Sequence, residues 1–201
     1  MANILLDVLP GTVEIDGMEY LINSDFRISI LFELLVQDDT IGKRQKLIQG
    51  LQLYYPQIPS NTSEAVEKMI WFYRCGRVPD VGREVREDDD GNSLEKPYSF
   101  EYDDAYIFAA FMEQYGIDLQ DEDLHWWKFR ALFNSLSEDT EFAKIMGYRS
   151  IDITSKMSNE QKRFYKKKKA IYALPRPEAE REAQELLEEA LMNGGDISDL
   201  V

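Results

Sequence analysis

The chain has 201 residues and a mass of 23.4 kDa, with 44% hydrophobic and 30% charged side chains, which suits one domain with its own core and excludes wholesale disorder. Thirty-eight acidic side chains against 23 basic ones leave a net charge of −15, a surface that repels phosphate and disfavours general binding to nucleic acid or anionic membranes. A single cysteine, Cys75, and a single histidine, His125, exclude an internal disulfide and a zinc site built from Cys and His alone.

The opening residues, MANILLDVLPG, lack a basic start and carry only a brief apolar stretch, so they do not read as a signal peptide. No run of about 18 uncharged apolar residues exists, so no membrane span is expected. Together these features predict a soluble, acidic, intracellular protein. Thr12-Val13-Glu14-Ile15 and Met18-Glu19-Tyr20-Leu21-Ile22 flank Asp16-Gly17, a strong hairpin signal.

Helices follow. Ser24 or Asp25 can cap one that runs to about Gln37, with Ile28, Leu31, Phe32 and Leu35 at helical spacing. A second is expected over 39–53, ending before Pro56, although Gly42 and Gly50 weaken it. Asn61 and Glu64 resemble a capping box ahead of Ala65–Tyr73, and Gly76 is placed to end that helix.

Residues 78–104 hold ten acidic and three basic side chains and read as a mobile, solvated loop. The next helix, from Ala105 to Tyr115, is close to apolar all round, which predicts a central position, with Gly116 as its end. Asp121 or Asp123 is expected to start a helix carrying Leu124–Phe133. Ser137 is expected to cap a short helix with Phe142, Ile145 and Met146. Ser158 and Gln161 form a further capping box, for a helix reaching about Leu174. Pro175 and Pro177 break the chain, and residues 178–192 predict a last helix before an acidic tail.

Catalytic signatures are absent: no Walker A loop, dinucleotide fingerprint, nucleophile elbow or HExxH. His125 with Asp121 or Asp123 is the one catalytic alternative, and a packed, hydrogen-bonded histidine is the better reading. Cys75 reads as a buried small residue rather than a reactive thiol. Placing Gly91 at the EF-hand glycine puts Arg86 and Pro97 at ligand positions, so the acidic loop is not a calcium site. No metal and no cofactor are expected. The run Lys166–Lys169, after Lys162 and Arg163, reads as a solvated helix face, with pairing to the acidic terminal helix or to an acidic partner as the alternative.

Trp126, Trp127 and Phe129 lie almost consecutively on one helix. Successive residues are about 100° apart, so the three cannot share one stripe. Either the helical core is unusually thick, or at least one of them meets a second layer or a partner.

These residues also resemble a known family. Phe108-Ala109-Ala110-Phe111, Tyr115-Gly116-Ile117-Asp118-Leu119, Leu124-His125-Trp126-Trp127-Lys128-Phe129 and Tyr148-Arg149, with Asp25-Phe26-Arg27 after the hairpin, are similar to the "gene product fifteen" family of long-tailed phages of Gram-positive bacteria. The resemblance covers most of residues 10–173. It implies a non-enzymatic tail assembly chaperone that binds the tape measure protein and keeps it soluble while tail tube assembles. The alternative on the same motifs is a structural or tail-completion protein. The implied partners are the tape measure protein and the major tail protein, with self-association left open and no nucleic acid or membrane. Host cytoplasm is the implied location, with the chain absent from the mature virion. The resemblance brings no functional residues with it; the motif and aromatic positions Trp126, Trp127, Phe129, Phe133, Tyr148 and Arg149 are the partner-binding candidates.

The sequence therefore predicts a mainly α, helical bundle-like domain with an N-terminal β-hairpin. Its expected divisions are a hairpin and helices over 1–77, an acidic loop over 78–101, an aromatic-rich helical region over 102–174, and an acidic terminal helix and tail over 175–201.

Overall fold

The structure, a computed structural model, describes residues 3–77 and 97–175. Most of the expected acidic loop at 78–101, and the expected terminal helix at 178–192, lie outside the described residues. Among those described, a two-stranded hairpin is followed by seven helices, which is the mainly α architecture the sequence predicts.

Strands β1 (Thr12–Ile15) and β2 (Met18–Leu21) pair antiparallel with Ile15 opposite Met18. Asp16 and Gly17 both take positive φ, 51° and 72°, the backbone that a two-residue hairpin needs to match strand twist. Val13 and Ile15 point into the core. The turn is tied down from outside: Glu64 accepts a bond from the Asp16 amide at 3.1 Å, and Asn61 donates to the Asp16 carboxylate at 2.9 Å.

Helix α1 (Phe26–Gln37) starts at Asp25, whose carboxylate accepts from the Arg27 amide. Helix α2 (Lys43–Tyr54) starts four residues later than expected, because Asp38 holds the Thr40 amide in a side-chain turn that a helix would have to break. Helix α3 (Thr62–Tyr73) is capped by Asn61, which accepts from the Glu64 amide. The Glu64 carboxylate serves the hairpin turn instead of closing the expected box.

Helix α4 (Asp104–Tyr115) ends at Gly116, in the left-handed region at φ 66°. Its expected central position is corrected by the structure. Ile107, Ala110 and Phe111 are buried, but Ala105, Tyr106, Ala109 and Met112 lie on an exposed face. The central helix is α5 (Trp126–Phe133), short and buried on several sides. It begins later than the predicted Asp121 or Asp123, since Asp25 and His125 form an isolated antiparallel bridge that keeps the chain extended there.

Helix α6 (Glu141–Ser150) is preceded by Thr140, whose hydroxyl accepts from the Ala143 amide. Helix α7 (Asn159–Ile171) carries the predicted Ser158–Gln161 capping box and stops three residues short of Leu174. The chain divides into two compact units, residues 1–147 and 148–201. The first holds the hydrophobic core, from Val13 to Ile145. In the second, none of the described residues is fully buried. No helix among the described residues is long and apolar enough to cross a membrane.

Candidate functional site

The two motifs of the sequence meet at the amino ends of α1 and α5. The first amides of a helix have no partner within it. Here each helix supplies the other's need: the Phe26 amide donates to the Leu124 carbonyl at 3.0 Å, and the Trp126 amide donates to the Ser24 carbonyl at 2.8 Å. His125 caps α5 through Nδ1, which accepts from the Trp127 amide at 3.0 Å. That bond leaves the ring proton on Nε2, 3.2 Å from the Pro10 carbonyl, to which it donates. Burial pushes the His125 pKa below its ordinary value, so the neutral ring that this geometry needs is the favoured form.

Both nitrogens of His125 are therefore used to hold backbone. Asp121 and Asp123 are exposed and are not among the ring's hydrogen-bond partners. The packed-histidine reading matches this geometry, and the catalytic alternative loses its base.

Trp126 and Trp127 close a second junction. Their indole N–H groups donate to Tyr73 and Phe72 carbonyls, each at 2.8 Å. Those carbonyls sit in the last turn of α3, and the Phe72 carbonyl also accepts from the Cys75 amide at 2.9 Å. The chain then turns away through Cys75 and Gly76, at φ 57° and 69°. A Cβ on Gly76 would lie 2.9 Å from the Trp127 ring.

Phe129 stacks on Phe26 at 4.8 Å and on Phe111 at 5.0 Å, joining α1, α5 and α4. Phe133 meets Tyr98, Phe100 and Phe142 at 5.0–5.6 Å. Trp126 and Phe129 are 0% exposed, Trp127 4% and Phe133 5%. The structure thus puts four of the six partner-binding candidates in the core, a thick core that surrounds α5.

Tyr148 and Arg149 lie in the second unit and are half-buried. Tyr148 stacks on Tyr172 at 5.9 Å, and Arg149 Nε donates to the Tyr172 carbonyl. Lys168 Nζ lies 5.0–5.9 Å from the rings of Tyr148, Phe164 and Tyr172. Part of the basic run therefore covers aromatic surface, as its lysine stems allow.

Sequence reasoning missed two polar anchors. Arg27 donates through Nη2 to the Leu119, Gln120 and Glu122 carbonyls at 2.7–3.2 Å, fixing the loop between α4 and α5. Glu33 is buried and accepts from the Tyr73 hydroxyl at 2.6 Å. Burial, and then the Glu33 carboxylate, push the Tyr73 pKa up. A lone acid in an otherwise apolar helix was the available signal for Glu33; Arg27 gave no local one. Burial also raises the Cys75 pKa, which keeps the half-buried thiol protonated and unreactive.

Among the described residues, no group of three or more His, Cys, Asp or Glu side chains is placed to hold a metal ion. What the surface does offer is apolar. Leu5, Leu6 and Val8 are almost wholly exposed, and each of α1, α4 and α7 exposes large apolar side chains.

The sequence matches the family described as "Bacteriophage Gp15 protein" over residues 5–174. The chain belongs to that family and is a phage protein. No curated protein and no solved structure matches it.

Proposed function

We propose that this phage family member is a non-enzymatic tail assembly chaperone, which binds the tape measure protein and keeps it soluble while tail tube forms around it. One observation carries the reading beyond family membership: α1 presents an uncharged apolar face on a protein of net charge −15. Between Phe26 and Gln37 only Arg27 and Glu33 are charged; Arg27 is held by carbonyls and Glu33 is buried. Leu31 and Val36 are 49% and 51% exposed, with Ile28 and Leu35 half-buried on the same helix.

Such a face suits the apolar side of an amphipathic helix. A long helical client offers that side repeatedly, so many weak contacts add through effective concentration and still release singly. The surrounding acidic surface keeps a multi-copy complex in solution. We assign Trp126, Trp127, Phe129 and Phe133 to the support of α1 and α3, not to contact. Tyr148 and Arg149 stay as contact candidates, and the major tail protein as the partner that displaces the chaperone.

The test is co-expression with the long helical tail protein, followed by affinity capture and measurement of that partner's solubility. Wild-type chain is expected to capture and solubilise it. Leu31→Glu with Val36→Glu is expected to lower capture at least tenfold while the thermal melt stays in place. No capture by the wild type, together with stoichiometric retention in purified virions, would replace the chaperone by a structural or tail-completion protein.

A further inference from the structure

Charge is divided sharply along the chain. Residues 1–147 hold 28 acidic and 13 basic side chains, whereas residues 148–175 hold two acidic and eight basic ones. Six of those eight belong to α7, a helix with no buried residue. Phe164 and Ile171 on it are 48% and 58% exposed. They are seven residues apart, so they lie on one face about 10 Å from each other. Exposed Lys167 falls between them on that face, exposed Arg163 lies beside it, and exposed Lys166 lies toward the opposite side. The result is an apolar strip with a basic margin, and no described element buries it.

Helix α4 has the complementary face. Tyr106 and Met112 are 38% and 40% exposed, and the exposed small residues Ala105 and Ala109 lie between their turns. Small residues in such a row allow a second helix to approach closely. Exposed Glu101, Asp104 and Glu113 surround the face, and α4 has no basic side chain. Ala105 and Met112 repeat the seven-residue spacing of Phe164 and Ile171.

We propose that α7 of one copy docks on the outer face of α4 of a second copy. Each copy offers one face of each kind, so the contact closes reciprocally in a two-fold pair or adds further copies in a row or ring. A phosphate polymer would meet the basic margin but would leave Phe164 and Ile171 uncovered, while the rest of the chain repelled it. A helix that is apolar and acid-rimmed satisfies both features, and α4 of a second copy is such a helix. A single helix-on-helix contact is small, so the association is weak, concentration-dependent and screened by salt. The proposal is independent of the chaperone reading, since it needs no client.

Sedimentation velocity of the full chain tests it. Weight-average mass is expected to climb with concentration at about 50 mM salt and to fall back toward 23.4 kDa at about 500 mM, where screening shortens the reach of charge. Arg163→Glu with Lys167→Glu on α7, or Glu101→Lys just before α4 with Glu113→Lys on it, is expected to abolish the climb. Mixing the two variants is expected to restore it, because each reversed face then meets its opposite. All four positions of the design are exposed, so circular dichroism is expected to show an unchanged fold, and the wild-type salt dependence stands without any variant. A wild type that stays monomeric at every concentration, as when α7 docks within its own chain, overturns the proposal. So do oligomers indifferent to both reversals, or a mixture that does not recover.

Discussion

Asp25 and His125 hold the same position in two helices, and they face each other across an antiparallel bridge. Each caps its own helix with a side-chain acceptor, and each is flanked by a residue whose amide bonds to the other strand's carbonyl. Two of the segments that carry the resemblance thus form one junction, and its chemistry satisfies backbone.

Trp126→Phe and Trp127→Phe each remove one indole donor and leave a carbonyl at the end of α3 without it. Each is expected to cost about 1–3 kcal/mol. Trp126→Ala, which also opens a cavity in the core, is expected to cost about 3–5 kcal/mol. Urea unfolding followed by circular dichroism measures both. Phe variants as stable as wild type would mean that the indole bonds contribute nothing net.

Two glycines separate backbone strain from crowding. Gly116 and Gly76 share nearly the same positive φ, but a Cβ meets nothing within 4 Å at Gly116 and meets the Trp127 ring at 2.9 Å at Gly76. Gly116→Ala is expected to cost about 1 kcal/mol from conformation alone. Gly76→Ala adds overpacking, about 1–3 kcal/mol more. Equal losses in parallel denaturation curves would show that the Trp127 ring yields freely.

The local signals of the fold were legible in the sequence. Asp16-Gly17 marked the hairpin, and Asp25, Asn61, Ser158 and Gly116 marked helix ends, because caps and turns depend on residues adjacent in the chain. Helix α5 was not legible in the same way. Its start is set by Ser24 and its burial by Phe72 and Tyr73, partners distant in sequence. An apolar helix also reads the same whether its second face is buried or left for another chain. That is why α4 looked central and α5 looked as if it had an aromatic to spare. The structure gives Trp126, Trp127, Phe129 and Phe133 to the core.

His125 makes stability depend on pH. Its folded pKa lies below the ordinary 6.5, so below that value the unfolded chain binds a proton that the folded chain resists. The stability it supports is complete above 6.5 and is lost as pH falls from there through the folded pKa. Urea midpoints are expected to drop between about pH 7.5 and about pH 5.5, and to drop less in His125→Asn, which keeps a cap acceptor without titrating. The same slope in both proteins would assign the effect to other groups.

Arg27 is expected to resist its conservative replacement. The Arg27 fork holds the Asp25 carboxylate through Nη1 and the Leu119, Gln120 and Glu122 carbonyls through Nη2; a lysine has one nitrogen and cannot serve both, so Arg27→Lys is expected to cost about 1–3 kcal/mol. Asp25→Asn removes the partly exposed 2.8 Å ion pair but keeps a capping oxygen, and is expected to cost no more than about 1 kcal/mol. If the order of these two were reversed in thermal melts, the ion pair and not the carbonyl clamp would be the working contact.

The stacking of Phe26 on Phe129 also sets an order in time. Helices α1 to α3 emerge from the ribosome well before α5 is made, with Phe26 lacking its ring partner and the Phe72 and Tyr73 carbonyls lacking their indole donors. Contacts so far apart in the chain slow folding, and a nascent chain that waits with apolar surface open is prone to aggregate. A ribosome stalled between residues 77 and 126 would therefore hold a core that lacks the Phe129 ring and the indole donors of Trp126 and Trp127.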